Sequence, residues 1–308
     1  MKKIWILCCL LFLCGCGMEK EENNDFTYIL FATPLKEHTI WLKAKKGFDE
    51  ACEIYNAKCD WIGPSVIDTQ EMENVIGTGI LQEADAIVTQ GVISTELMEQ
   101  AHNNNIPVFL VDSDIPDANR FAYMGKDFHK QAELLLNEVE KKFAKNEPLK
   151  IAIQVAEKSF NIAQQQIEEV EKVFALHPGG YEIINISESK SDQVRAKSEW
   201  ERVLQKNPEI NVAINFAAES AESCADMAQA KGRKEKMMIF GVDDMESTLA
   251  MIRNNKIDGT IATSFYDYGF QSVQMLMKYL REGTEPSQKT LSPTLTMVTK
   301  DNIDDYDK

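Results

Sequence analysis

Short apolar segments alternate with amphipathic segments along most of this chain. Runs rich in β-branched residues are followed by stretches in which apolar residues recur at helical spacing. Ala44, Phe48, Ala51, Cys52 and Tyr55, for example, predict one buried face of a helix. Strands that alternate with helices in this way build a parallel sheet covered on both faces, so the pattern predicts an α/β fold.

The pattern forms two similar sets, separated by a polar break at Glu147 and Pro148. Strands are predicted at residues 27–32, 58–62, 85–89 and 108–111 in the first set, and at 150–155, 181–186, 210–216, 237–240 and 258–263 in the second. Helices are predicted at residues 44–55, 68–80, 94–101, 161–175, 192–205, 219–230 and 246–253. Two such sets predict two Rossmann-like lobes with a crevice between their strand ends.

The end of the chain changes this simple division. A helix is predicted at residues 266–280, followed by a strand near 294–298. If the helix returns to the first lobe and the strand to the second, three crossings join the lobes. Three crossings would make a hinge rather than a flexible linker.

Polar side chains follow the strand predicted at residues 108–111. Asp112, Ser113 and Asp114 stand where this buried strand leaves the sheet. In open α/β sheets, ligands bind in the crevice beyond the carboxyl ends of the strands. These residues are therefore candidates for a ligand site.

The first 25 residues differ in composition from the rest. Lys2 and Lys3 precede an apolar run at residues 4–13, which has the length of a signal-peptide core and is too short to span a bilayer. The sequence Leu13-Cys14-Gly15-Cys16 then resembles the bacterial lipobox. We therefore expect residues 1–15 to be a lipoprotein signal peptide, Cys16 to carry the lipid and residues 16–25 to form a tether. The alternative is an incidental cysteine in a secretory signal.

The charge of the chain excludes some partners. Removal of residues 1–15 takes away two of the 33 basic residues and none of the 49 acidic ones, leaving 31 against 49, or −18. Such a surface repels nucleic acid and anionic lipid headgroups. Its acidic residues are expected to be solvated.

Cysteine and histidine usage gives no metal-binding motif. No CxxC pair remains after residue 16, and the four histidines lack the spacing of metal ligands, so we expect no metal and no cofactor. Cys52, Cys59 and Cys224 remain in the folded region. A bridge between Cys52 and Cys59 is geometrically conceivable, but buried free thiols are preferred.

Four local sequences together resemble the type I periplasmic binding proteins, in particular the ribose, galactose and xylose-binding cluster. They are Gly47-Phe48-Asp49-Glu50-Ala51, Gly63-Pro64, the series Asp112-Ser113-Asp114 through Arg120 to Gly125 and Asp127, and Phe240-Gly241-Val242-Asp243-Asp244. The resemblance covers nearly all of residues 26–300. It implies an N-terminal lobe of residues 26–124 plus 265–291 and a C-terminal lobe of 125–264 plus 292–308, which close around a ligand as this family does.

The resemblance also implies ligand-binding roles for particular residues. Asp112, with Ser113, and Asp243 correspond to positions from which the sugar binders accept hydroxyl protons, one position in each lobe. Helix N-capping is the alternative for either acid, and a catalytic acid and base pair is a further alternative. Trp41 falls where the family places an aromatic residue that stacks on a sugar ring, with core packing as its alternative.

The second lobe departs from the family pattern. Gln164 stands where an arginine usually reads sugar hydroxyls, and Thr263 replaces the usual glutamine or asparagine near the last crossing. Ala217, Ala218 and Ser191 replace other polar or aromatic positions. A hexose would leave polar groups unpaired in such a site, so the ligand is expected to be smaller or less polar than a hexose, or the site has drifted.

These residues define the functional expectation. The protein is expected to be a monomeric, lipid-anchored binding protein on the outer face of the cell membrane, which captures a small sugar-like molecule for an ABC permease. A sensor subunit for a membrane histidine kinase is the second possibility, and a partner-binding lipoprotein with a vestigial cleft is the third. An enzyme is not expected, because nothing besides the two acids resembles a hydrolase.

Overall fold

The computed structural model describes residues 26–306. The strands are β1 (Tyr28–Ala32), β2 (Lys58–Ile62), β3 (Ala86–Gln90), β4 (Val108–Val111), β5 (Ala122–Met124), β6 (Leu149–Val155), β7 (Tyr181–Glu188), β8 (Val212–Asn215), β9 (Met238–Val242), β10 (Gly259–Ala262), β11 (Thr290–Leu291) and β12 (Thr296–Thr299). The helices are α1 (Thr39–Tyr55), α2 (Thr69–Leu81), α3 (Thr95–Asn103), α4 (Phe128–Lys142), α5 (Asn161–Phe174), α6 (Gln193–Lys206), α7 (Ser220–Ala230), α8 (Glu246–Arg253), α9 (Phe265–Glu282) and α10 (Ile303–Tyr306).

The strands form two six-stranded sheets of the same design. The first sheet has the order β11-β5-β4-β3-β1-β2, and the second has the order β12-β10-β9-β8-β6-β7. Every pairing is parallel except that of β12 with β10. Strands β1, β3, β4, β8 and β9 inside the sheets are buried along their whole length, as expected for sheets covered by helices on both faces. The predicted α/β fold with two helix-flanked sheets is confirmed.

The chain passes between the two sheets three times. It leaves the first sheet after β5, returns from β10 to α9 and β11, and leaves again between β11 and β12. Helix α9 packs closely on α1 because both helices have a glycine at their contact. A Cβ on Gly269 would lie 2.0 Å from the carbonyl oxygen of Ala44, and one on Gly47 would lie 2.1 Å from that of Tyr266. This close contact attaches the returning segment to the first sheet.

Four elements lie outside the predicted pattern. Strands β5 and β11 have three and two residues, too few for a periodicity to be visible, and α10 has four. Helix α4 is different, because its buried residues Ala132, Leu135, Leu136 and Val139 do follow helical spacing. The sequence therefore carries the periodicity of α4, although the predicted pattern does not include this helix.

Cys52 and Cys59 form a disulfide, so the preference for free thiols is wrong for this pair. Helix α1 ends at Tyr55, and Asn56 then adopts a left-handed conformation with φ of 49°. The chain reverses there and enters β2, which brings Cys59 back beside the last turn of α1. The two Cα atoms are 6.3 Å apart, within the range that a disulfide spans. Cys224 is a buried free thiol, as predicted.

The predicted signal peptide, the lipid-bearing Cys16 and the tether lie outside the described residues. Within residues 26–306, none of the helices has both the length and the apolar character needed to cross a bilayer. The same part of the chain has no group of three or more histidine, cysteine, aspartate or glutamate side chains placed to hold a metal ion.

Candidate ligand-binding site

A cavity lies between the carboxyl ends of the two sheets. Asp112 and Gln90 reach it from the first sheet, Asp243 and Glu219 reach it from the second, and Lys126 lies between them. The free volume is about 90 Å³. A buried water needs roughly 10–15 Å³ on this scale, so the cavity has room for a small molecule.

Lys126 forms ion pairs with an acid from each sheet. Its Nζ lies 3.1 Å from Oδ1 of Asp112 and 3.3 Å from Oδ1 of Asp243, and its side chain is only 4% exposed. Nζ also lies 5.0 Å from the centre of the Phe265 ring, within cation–π range. Gln90 Nε2 donates to the other oxygen of Asp112 at 2.7 Å. Both oxygens of Asp112 therefore have a partner within the protein.

Asp112 and Asp243 occupy equivalent positions in the two sheets. Asp112 follows β4 and Asp243 follows β9, and both have a left-handed backbone with φ of 63°. Their backbone N–H groups donate to the next strand of their own sheet, at 2.9 Å to Met124 and 2.8 Å to Ile261. Aspartate adopts this conformation more readily than most residues. The repeated strand order therefore places both acids at the same edge, facing each other.

Neither acid caps a helix, so the capping alternative is wrong for both. Helix α8 begins after Met245, which makes no side-chain capping bond. The first helix after Asp112 is α4, and its cap is Asp127, whose carboxylate accepts from the backbone N–H of Lys130 at 2.9 Å.

Burial and charge act in opposite directions on the central groups. Burial alone would lower the pKa of Lys126, but the nearby carboxylates of Asp112 and Asp243 outweigh it and hold that pKa above its ordinary value. Burial raises the pKa of Asp243 from 3.8 to about 6, although Lys126 opposes this rise. Lys126 is therefore charged at neutral pH. Ionised Asp243, in contrast, lowers the stability of the folded protein at that pH.

Two further polar pairs connect the sides of the cavity. Lys43 of α1 lies 2.7 Å from Oδ1 of Asp244 and donates to the backbone carbonyl of the same residue at 2.8 Å. His38 Nε2 lies 4.0 Å from Glu219 Oε2, which is too far for a hydrogen bond. Burial lowers the pKa of His38, with Glu219 acting in the opposite sense, so the imidazole is mainly neutral at pH 7.

The position of Trp41 is consistent with both ligand contact and core packing. It lies in the first turn of α1, is 5% exposed and lines the cavity. Its ring also packs edge-on against Phe265, with centroids 5.3 Å apart, and against Phe31 at 6.4 Å. It is thus a core residue with one side available to a ligand.

The other predicted ligand residues lie outside the cavity lining. Ser113 is buried and donates to the carbonyl of Gly91 at 3.3 Å. Thr263 is buried, and its Oγ1 has no partner among the described residues. Gln164 is exposed on α5, where Gln166 is the glutamine that lines the cavity. The positions that depart from the sugar-binding pattern at Ser191, Ala217 and Ala218 do line it.

The polar residues of the cavity that were not predicted include Lys126, Gln90 and Glu219. Lys126 lies in the first crossing, two residues after β5, a strand that the sequence pattern does not predict. The need for a cation between two facing acids could have indicated it. Gln90 ends β3, the neighbour of β4, and this placement alone could have suggested it. Glu219 follows Ala217 and Ala218 at the start of α7, where the sequence gives no sign that its side chain is buried.

The chain belongs to a known family of ligand-binding proteins. The family model described as "Periplasmic binding protein domain" matches residues 29–285. A xylose/arabinose-binding protein, XylF, from Sulfolobus acidocaldarius is 20% identical over 297 residues, covering 90% of this chain and 72% of that protein. The resemblance to type I periplasmic binding proteins is thus confirmed, and the family implies an extracytoplasmic location.

Solved structures agree with this fold. An ABC transporter solute-binding protein from Burkholderia graminis C4D1M in complex with D-arabinose superposes with a TM-score of 0.83, at 20% identity over 91% of this chain and 96% of the other. The XylFII-LytSN complex superposes with a TM-score of 0.81, at 22% identity over 90% of this chain and 98% of the other. At this level of identity the likeness establishes the fold alone.

Proposed function

We propose that the protein captures a small sugar-like molecule in the cavity between two lobes, residues 26–124 with 265–291 and residues 125–264 with 292–308. The observation that carries this proposal is a cavity built from the strand ends of both sheets, with one acid from each sheet and the ring of Trp41 in its wall. A ligand that touches both lobes gains its full contact energy only when they are closed, so binding favours closure.

A panel of pentoses, hexoses, polyols and their amino derivatives tests this capture directly. A ligand at 100 times its dissociation constant should stabilise the folded protein by about 2.7 kcal/mol, seen as a rise in the melting temperature. Asp243→Asn should abolish the rise because it removes an acceptor from the cavity. Asp301→Asn, which changes an exposed acid elsewhere, should retain it. If no member of the panel raises the melting temperature of the unmodified protein, the proposal fails.

We further propose that the bound ligand is delivered to an ABC permease. The arabinose-bound relative is named as an ABC transporter component, which supports delivery. The likeness to the XylFII-LytSN complex favours a second candidate, in which the protein reports ligand to a membrane sensor. Loss of labelled-ligand uptake in cells lacking the protein would support delivery. Unchanged uptake with a lost transcriptional response to the ligand would support sensing.

The lipid anchor at Cys16 is also a proposal, supported by the charged, apolar and small residues that precede it in order. Cys16→Ala should move the protein from the membrane fraction to the soluble extracytoplasmic fraction and abolish incorporation of labelled palmitate. Cys224→Ala is the matched control, since this buried thiol should leave both results unchanged. Labelled palmitate retained by the Cys16→Ala variant would reject the assignment.

A further inference from the structure

Glu219 is a buried carboxylate with no lysine or arginine paired to it among the described residues. Its residue is 8% exposed, it lines the cavity, and its Oε1 has no hydrogen-bond partner within residues 26–306. It precedes the first turn of α7, but its side chain makes no capping bond to that helix. Buried ionised groups are ordinarily paired, because removing them from water is costly. The position of Glu219 therefore calls for a partner that the described residues do not supply.

His38 does not supply that partner. Its Nδ1 accepts from the backbone N–H of Ile40 at 3.4 Å, so in the neutral ring the proton is on Nε2, facing Glu219. The distance of 4.0 Å from Nε2 to Oε2 leaves a gap. Because burial lowers the pKa of His38, the ring carries little positive charge at pH 7. The His38 ring therefore borders the carboxylate without neutralising it.

The other charges of the cavity leave an excess of negative charge. Glu157 has its own ion pair with Lys190. Lys126 is shared by Asp112 and Asp243, so it cannot compensate a third carboxylate. Apart from the paired Glu157, the described lining of the cavity therefore presents three carboxylates to a single ammonium group.

The apolar part of the wall suits a cation as well. Trp41, Phe160, Phe216 and Phe265 line the cavity, and aromatic faces attract ammonium groups, more strongly where water is excluded. A hydroxyl can donate a hydrogen bond to Glu219 but cannot neutralise its charge. An ammonium group does both, and charge-assisted hydrogen bonds are the stronger kind.

We propose that the ligand carries a positively charged amine that pairs with Glu219, so that it is an amino sugar or amino polyol rather than a neutral sugar. This inference rests on the proposed function, since it takes the cavity as the ligand site. Lys126, Asp112 and Asp243 would then face the hydroxyl-bearing part of the same molecule. An amine ligand also agrees with the cavity wall at Ser191, Ala217 and Ala218, where few neutral polar side chains are available to bind sugar hydroxyls.

Matched pairs of ligands test the amine by calorimetry. The pairs are D-glucosamine with D-glucose, D-galactosamine with D-galactose, and 2-amino-1,3-propanediol with glycerol, and N-acetyl-D-glucosamine serves as an uncharged amide. At least one amine should bind tenfold or more tightly than its neutral partner. Glu219→Gln should remove that difference by weakening the amine alone. Glu222→Gln, on the same helix but outside the cavity, should preserve it.

The outcomes separate this inference from the function on which it rests. Neutral sugars that bind as tightly as their amines, or an amine preference that survives Glu219→Gln, would overturn the amine and leave sugar capture standing. Failure of every amine to bind would also overturn it, and sugar capture would then depend on the neutral panel. Glu219→Gln should melt at or above the temperature of the unmodified protein, because it removes a buried unpaired charge, so misfolding should not obscure the result.

Discussion

Lys126→Met is expected to lower the free energy of unfolding by about 3–5 kcal/mol at pH 7. Methionine fills a similar volume but leaves Asp112 and Asp243 facing each other without a cation, in a place where Lys126 is only 4% exposed. Removing one partner of a buried ion pair lowers the stability of a protein far more than replacing the whole pair by apolar residues, because the remaining charge is left buried and unpaired. The loss should become smaller as the pH falls, because Asp243 needs no cation once it is protonated.

Urea unfolding at pH 7 and pH 4.5 measures this effect. Lys130→Met is the matched control, because Lys130 is 53% exposed and, among the described residues, its ion pair is with the 41% exposed side chain of Glu133. It should change the free energy of unfolding by less than about 1 kcal/mol. A loss below this value in Lys126→Met would mean that Lys126 does not hold the two acids together.

Asp243→Asn is expected to stabilise the protein by roughly 3 kcal/mol at pH 7, at about 1.4 kcal/mol for each pKa unit. The folded protein raises the pKa of Asp243 from 3.8 to about 6, mainly by burial. Ionised Asp243 therefore opposes folding above pH 6, and this penalty disappears as the pH falls through that value towards 3.8. Asparagine has no such charge and tolerates the left-handed backbone at this position.

Melting curves of both proteins between pH 4 and pH 8 give the test. The curves should converge near pH 4 and separate as the pH rises, with the variant more stable. The difference between the two curves cancels the contributions of other groups, among them the partly exposed Glu133 and Glu169, whose pKa values are lowered by nearby lysines. A constant difference across this range would show that Asp243 does not titrate as its surroundings imply. Together with the expected loss of ligand binding, this variant would show that a residue of the site is kept at the expense of stability.

The spacing of apolar residues along the chain predicts the main helices and strands of this fold. The spacing of apolar residues in α1, α2 and α9 and the buried runs of β4 and β9 each depend on neighbours along the chain. Helix capping is equally local: the carboxylate of Asp68, just before α2, accepts from the backbone N–H of Glu71 at 2.9 Å. Local patterns of this kind can be read without knowledge of the tertiary structure.

Short elements and pairings across turns were harder to predict. Strands β5 and β11 exist because neighbouring backbone groups bind them, since three and two residues carry no periodicity of their own. The disulfide between Cys52 and Cys59 depends on the reversal at Asn56, which sets the 6.3 Å distance between their Cα atoms. Its formation was decided by the direction of the chain rather than by the spacing of the cysteines.

The sequence by itself determined that two sets of strands and helices would form, and that the strand before Asp112 would end in acid. Only the tertiary structure decided what these acids contact. Lys126 lies 14 residues from Asp112 and 117 from Asp243, yet the crossing after β5 places its ammonium group between them. In the sequence, Glu219 likewise has no feature that distinguishes it from a surface charge. Only the folded chain places it between the strand ends of both sheets and buries it. The reason is that burial and charge pairing depend on distances in space, which the order of residues along a strand or helix does not contain.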